Sequence, residues 1–118
     1  MPPLQRVTAP LLDVLVVLLD AHRHGQEELH GWAIMKSARR SGPTTYGVLD
    51  RLEEARWVTG RWEAEHPDGN KPRRRFYRLT PHGVTGAADL LRARGRRLPA
   101  HGPAAATRPG LAAEGGAR

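Results

Sequence analysis

Residues 73–83 read RRRFYRLTPHG, and how this stretch is accommodated decides the fold. Phe76, Tyr77 and Leu79 call for packing, whereas Arg73, Arg74 and Arg75 call for water or an anion. A strand separates the two demands by alternation, because successive side chains point to opposite faces. It puts Arg74 and Phe76 on one face and Arg73, Arg75, Tyr77 and Leu79 on the other. Thr80 and Pro81 then read as the N-cap and first residue of a helix.

The strand needs a partner, and the residues before it supply one. WVTGRWEAE (57–65) alternates Trp57, Thr59 and Arg61 against Val58, Gly60 and Trp62, a period of two. Between the strands, HPDGNKP (66–72) carries Asp68-Gly69 and Gly69-Asn70, which favour the positive φ of a tight turn. The pair is a predicted hairpin with a basic tip that includes Lys71.

Three predicted helices precede the hairpin and one follows it. TAPLLDVLVVLLDAHRHG (8–25) has Thr8 as N-cap, Pro10 in its first turn and Gly25 at its end. Its apolar residues run almost all the way round, which predicts burial on more than one side. A domain this small is not expected to cover such a helix alone, so Leu12, Leu15 and Leu19 are dimerisation candidates. EELHGWAIMKSARRSG (27–42) gives a second helix packed through Trp32, Ile34 and Met35. GPTTYGVLDRLEEARW (42–57) gives a third, capped by Ser41 or Gly42 with Pro43 in the first turn. Val48, Leu49, Leu52 and Ala55 form its apolar stripe; Thr44, Thr45, Gly47, Asp50, Arg51 and Glu54 lie outside it. LTPHGVTGAADLLRARGRR (79–97) gives the fourth helix, weakened early by Gly83 and Gly86. Its Leu90 and Leu91 join the dimerisation candidates. LPAHGPAAATRPGLAAEGGAR (98–118) has no aromatic residue and too little apolar bulk to offset the entropy of ordering it, which predicts a disordered tail after a domain spanning 1–97.

The chain has 118 residues, 19 Lys plus Arg against 12 Asp plus Glu, and no Cys. A net charge of +7 favours a polyanionic partner without distinguishing DNA, RNA or a membrane surface. The absence of Cys excludes disulfides and thiolate metal sites. His22, His24 and His30 lie close together but lack helical ligand spacing or paired carboxylates, so no metal or other cofactor is expected. Ser37 and Ser41 have no organised His and Asp around them, and no enzymatic activity is expected. The run Leu11–Leu19 falls short of the roughly 20 apolar residues of a membrane span and lacks the flanks of a signal peptide. A cytoplasmic, nucleoid-associated location is the expectation.

Helix, helix, turn, helix, hairpin, helix is the order of a winged helix-turn-helix domain, an α+β and mainly α fold. The major groove admits one helix, and a neighbouring basic hairpin reaches phosphates beside it. The residues sharpen this. LHGWAI (29–34), GPTTYGVLDRLEEARWV (42–58) and RRRFYRLTPHG (73–83) occur in order, and together they resemble the PadR family of bacterial transcriptional regulators over about Leu11 to Arg94. The resemblance implies a homodimer that binds inverted-repeat double-stranded DNA, usually as a repressor. It also implies dimerisation through the last helix with the first. Some relatives bind small aromatic effectors near the dimer seam; separately, among the tryptophans Trp32 is the candidate for a ligand-stacking pocket residue. Arg56 stands where the family commonly has Gly at a left-handed helix end.

The DNA reading assigns Thr44, Thr45, Tyr46 and Arg51 to the groove and Lys71, Arg73, Arg74 and Arg75 to the backbone. Each has a plainer alternative. Tyr46 could be a core tyrosine under the wing, Arg51 could pair with Glu54 at i,i+3, and the arginines could form a solvated strand edge. Trp32, Trp57 and Trp62 are expected in the core, so no exposed aromatic stacking platform is anticipated. Two other functions stay open: a protein–protein module that uses the winged fold without DNA, and an RNA-binding protein.

Overall fold

The computed structural model describes residues 4, 6–64 and 73–99. At its centre is α1 (Ala9–Arg23), whose N-cap Thr8 accepts a hydrogen bond from the Leu11 amide at 3.3 Å. Leu11, Leu12, Val14, Leu15, Val17, Leu18 and Leu19 are all buried. They are covered within the protomer, because α1 packs against α2 (Gly31–Ala38), α3 (Gly42–Glu54), α4 (Pro81–Ala93) and the middle strand of the sheet. The expectation that this helix needs a second subunit is therefore corrected. A helix surrounded on all sides inside its own domain satisfies the same sequence pattern.

The sheet has three antiparallel strands in the order β1-β3-β2. The wing hairpin is β2 (Val58–Trp62) with β3 (Arg75–Leu79), in a register that pairs Val58 with Leu79, Gly60 with Tyr77 and Trp62 with Arg75. These pairs share the inner face, as the alternation predicted. The predicted turn HPDGNKP (66–72), with Lys71, lies outside the described residues. The third strand, β1 (Leu29–His30), pairs with Tyr77 and Phe76 of β3. It occupies residues read from sequence as the start of the second helix, which begins instead at Gly31. Two residues of strand leave no periodicity to detect.

Helix ends follow local chemistry. Ser41 accepts from the Thr44 amide and Thr80 from the Gly83 amide, each satisfying an otherwise orphaned first-turn donor. Left-handed residues close α2 and α3: Arg39 at φ 60° and Arg56 at φ 63°. Arg56 is the position where a glycine was expected from the family resemblance, and the backbone keeps the left-handed conformation despite the side chain. Leu98 is half-buried against the core; the remainder of the expected tail, from residue 100, lies outside the described residues.

Candidate nucleic-acid interface

The helix that the sequence reading places in the groove, the expected recognition helix, is α3. Its stripe of Val48, Leu49 and Leu52 is buried against α1 and α2, which turns the opposite face outward. Thr44, Tyr46, Gly47 and Asp50 are exposed there. Thr45 is not. Its side chain is fully buried, and its hydroxyl has no hydrogen-bond partner among the described residues. One step along a helix is about 100°, enough to carry Thr45 from the polar edge into the core. Its assignment to the groove is corrected on that ground. Arg51 is half-exposed and donates to the backbone carbonyl of Arg6 at 3.3 Å. That contact ties the recognition helix to the segment before α1, in place of the Glu54 pair considered from sequence.

Tyr46 is 41% exposed and lies over Gly31 at the start of α2. A Cβ at residue 31 would come within 2.5 Å of the tyrosine ring and its hydroxyl, so the glycine is what lets the ring lie there. Trp32 follows immediately and is 57% exposed, stacked on His30 with Lys36 Nζ 4.8 Å from its ring centre. Trp62, at the end of β2, is 59% exposed. The expectation that Trp32 and Trp62 belong to the core is corrected; Trp57 alone is tucked in, under α4 beside Gly83 and Gly86. Among the described residues, Trp32, Tyr46 and Trp62 are the exposed large hydrophobics. All three line one open cleft of about 520 Å³ between α2, α3 and the wing. Among the described residues its other walls are His30, Gly31, Tyr77 and the three arginines Arg73, Arg74 and Arg75, with no carboxylate in that set.

The arginines differ in their surroundings. Arg73 is exposed, with no ion pair among the described residues. Arg74 is on the outer face, bridged to Glu63 at 2.7 Å and leaning on the Phe76 ring, whose centre also lies 4.8 Å from the Arg61 guanidinium. Arg61 makes a bidentate pair with Glu28, both contacts at 2.7 Å, and this holds the Glu28 carboxyl below its ordinary range. Arg75 turns inward, to Glu53 of α3 at 2.8 Å. Tyr77 beneath it is buried, which pushes its phenol pKa up, so its hydroxyl stays neutral.

A second basic cleft lies at the opposite end of α2. Asp13 of α1 accepts from Arg40 (2.7 Å) and from Arg96 (2.8 Å), beside Arg39 and Arg97. Burial acts to raise the Asp13 carboxyl, but the two guanidinium groups outweigh it and hold the pKa below the ordinary value. The leucines proposed for dimerisation divide in two. Leu12, Leu15, Leu19 and Leu91 are inside the protomer core, and only Leu90 is half-exposed. Among the described residues, no group of three or more His, Asp or Glu could hold a metal ion, and no helix is long and apolar enough to cross a membrane.

Residues 14–89 match the model of the transcriptional regulator PadR-like family. The chain belongs to that family. Solved structures agree on the fold. A mutant of MepR from a multidrug-resistant S. aureus clinical isolate superimposes with a TM-score of 0.56 at 24% identity, over 70% of this chain and 54% of that one. The circadian clock associated protein Pex from anabaena gives a TM-score of 0.52 at 26% identity, over 78% and 81%. The transcriptional regulator PA4135 gives 0.50 at 26% identity, over 75% and 62%. This PadR-like chain thus spans about half the length of the MepR chain and under two thirds of PA4135. No curated protein matches it. What the family match gives is a PadR-like transcriptional regulator domain over residues 14–89.

Proposed function

We propose that the protein is a repressor that binds an inverted-repeat operator as a homodimer, inserting α3 into the major groove and laying the wing along the backbone. The observation that carries this reading is the juxtaposition of an exposed polar face on α3 with a cleft whose lining, among the described residues, holds Arg73, Arg74 and Arg75 and no carboxylate, Glu63 and Glu53 meeting Arg74 and Arg75 from outside it. Thr44 and Tyr46 face the groove, and Arg51 sits at its edge. Arg73 and Arg74 supply phosphate contacts, and the sequence adds Lys71 at the tip. Such a protein acts in the cytoplasm on nucleoid DNA. The deciding experiment selects bound fragments from random duplex DNA. A pseudo-palindromic consensus, with half-sites about one or two helical turns apart, is the expected result. A reporter driven from that site then separates repression from activation. Enrichment without any consensus would sink the operator reading.

The exposed aromatics of the cleft favour a second reading, since bases of single strands stack on such rings. It predicts that single-stranded DNA or RNA competes with operator duplex at equal nucleotide concentration. The same cleft, with Trp32 on its wall, is a candidate seat for a small aromatic effector. Quenching of tryptophan emission by such a compound, lost in Trp32→Ala, would support that role.

A further inference from the structure

Arg73, Arg74 and Arg75 are consecutive in sequence, but the third is built into the protein differently. The Arg75 side chain is 25% exposed, against 55% for Arg74. Its guanidinium lies 5.2 Å from the Trp62 ring centre and 5.6 Å from that of Tyr77. It crosses the backbone of β2 at Gly60, where a Cβ would sit 2.6 Å from its terminal nitrogen. Having crossed, it donates to Glu53 Oε2 at 2.8 Å, on the next-to-last residue of the recognition helix. Glu53 is itself only 28% exposed.

We propose that Arg75 is a positioning residue, which locks the wing to the recognition helix through Glu53, and that it is not a phosphate contact. The inference rests on the DNA-reading surface described above and adds how its two parts are held together. The carboxylates of the wing bridges are similarly shielded, but the Arg75 side chain is less than half as exposed as those of Arg61 and Arg74, so its bridge is screened less. The planar guanidinium suits the site because it can stack on rings and donate at its edge together, which an ammonium cannot. Gly60 supplies the gap that lets the side chain pass. Reading a groove and an adjacent phosphate row together requires α3 and the wing in one fixed relation. Loss of the lock should therefore be read in sequence preference rather than in charge.

The two roles give opposite results when the carboxylate is removed. The test uses the full chain with Arg75→Ala, Glu53→Gln, their double variant and Gly60→Ala, with Glu54→Gln as a control for the lost negative charge on the same helix. Each is titrated with operator and scrambled duplexes at several salt concentrations. A lock predicts that Arg75→Ala, Glu53→Gln and the double variant all lower the operator-to-scrambled ratio by a similar factor, about tenfold. Relative to the charge control, the salt slope stays unchanged. A phosphate contact predicts that Arg75→Ala flattens the slope by about 0.9, while Glu53→Gln frees the cation, tightens binding to every duplex and steepens the slope. That second pattern overturns the proposal. A readout without DNA keeps the lock separable from the operator reading: in the free protein, Glu53→Gln should shift the Trp62 indole and Arg75 Nε–H resonances together. If those resonances do not move, the lock does not exist, whatever the DNA result. If they move and wild type shows no sequence preference, the operator reading fails and the lock stands.

Discussion

Thr44 and Thr45 are neighbours in sequence and opposites in environment, one exposed at the N-terminus of the recognition helix and the other completely buried. The Thr45 hydroxyl is desolvated without a hydrogen-bond partner among the described residues, a cost of order 1–3 kcal/mol. Valine has the same shape without the polar atom. Thr45→Val should therefore raise the unfolding free energy by about 1 kcal/mol and leave operator preference unchanged. Thr44→Ala should do the reverse, leaving stability nearly constant and costing roughly 1–3 kcal/mol of discrimination if a base contact is lost. Thermal melts and paired titrations on both variants measure the two effects. Loss of preference in Thr45→Val would show that burial of this residue is released on the DNA.

Between elements, close approach decides more than apolar area. The fourth helix docks with Gly83 against the Trp57 backbone, where an added Cβ would overlap the Trp57 carbonyl oxygen. Gly86 meets the Trp57 ring, at 2.7 Å from where its Cβ would be. The glycines that weaken this helix by propensity are thus the ones that let it pack. Gly83→Ala, a change that favours an isolated helix, should instead destabilise the protein by about 3 kcal/mol, because backbone cannot move aside as a side chain can. Chemical denaturation reads this directly. The order of the four helices and the wing and the faces of its two strands were legible from local pattern, and three of the four helix N-caps because Thr8, Ser41 and Thr80 each precede a proline near a helix start. The strand Leu29–His30 was not legible, since its pairing with β3 is a long-range contact. The same limit hid the exposure of Trp32 and Trp62. Apolar character predicts burial, but whether a ring is covered depends on how far the wing stands from α2, a distance that no local pattern encodes. The arginine run read as a uniform phosphate face for a related reason: only the fold brings Glu53 within 2.8 Å of Arg75.

At the scale of the molecule, Asp13 joins α1 to the α2–α3 turn through Arg40 and to the segment after α4 through Arg96. Its folded pKa lies below the ordinary 3.8, so its stabilising contribution is present above that value and is lost as the pH falls through the folded value. Asp13→Asn should lower the melting temperature at neutral pH, with the gap to wild type closing under strong acid; a gap that does not vary with pH would mean that the ion pairs contribute nothing. Assembly is the larger question at this scale, because an inverted repeat needs two copies. With α1 covered inside the protomer, the proposed dimer contact is assigned instead to the outer side of α4, where Val84, Ala88 and Leu90 are half-buried. Leu90 and Leu91 are adjacent, yet only Leu91 is in the core, at 2% exposure. Leu91→Glu should unfold the protein, since an unpaired carboxylate in the core costs several kcal/mol. Leu90→Glu should leave each protomer folded and abolish association. Light scattering at micromolar concentration should then report a dimer for wild type and a monomer with a normal circular dichroism spectrum for Leu90→Glu. Its affinity for a full operator should fall towards that for a half-site, because the second half of an isologous pair no longer binds as part of the same molecule. A Leu90→Glu protein that still scatters as a dimer would move the interface off this helix. A monomeric wild type would leave one recognition helix per molecule and no physical reason for the operator to be palindromic.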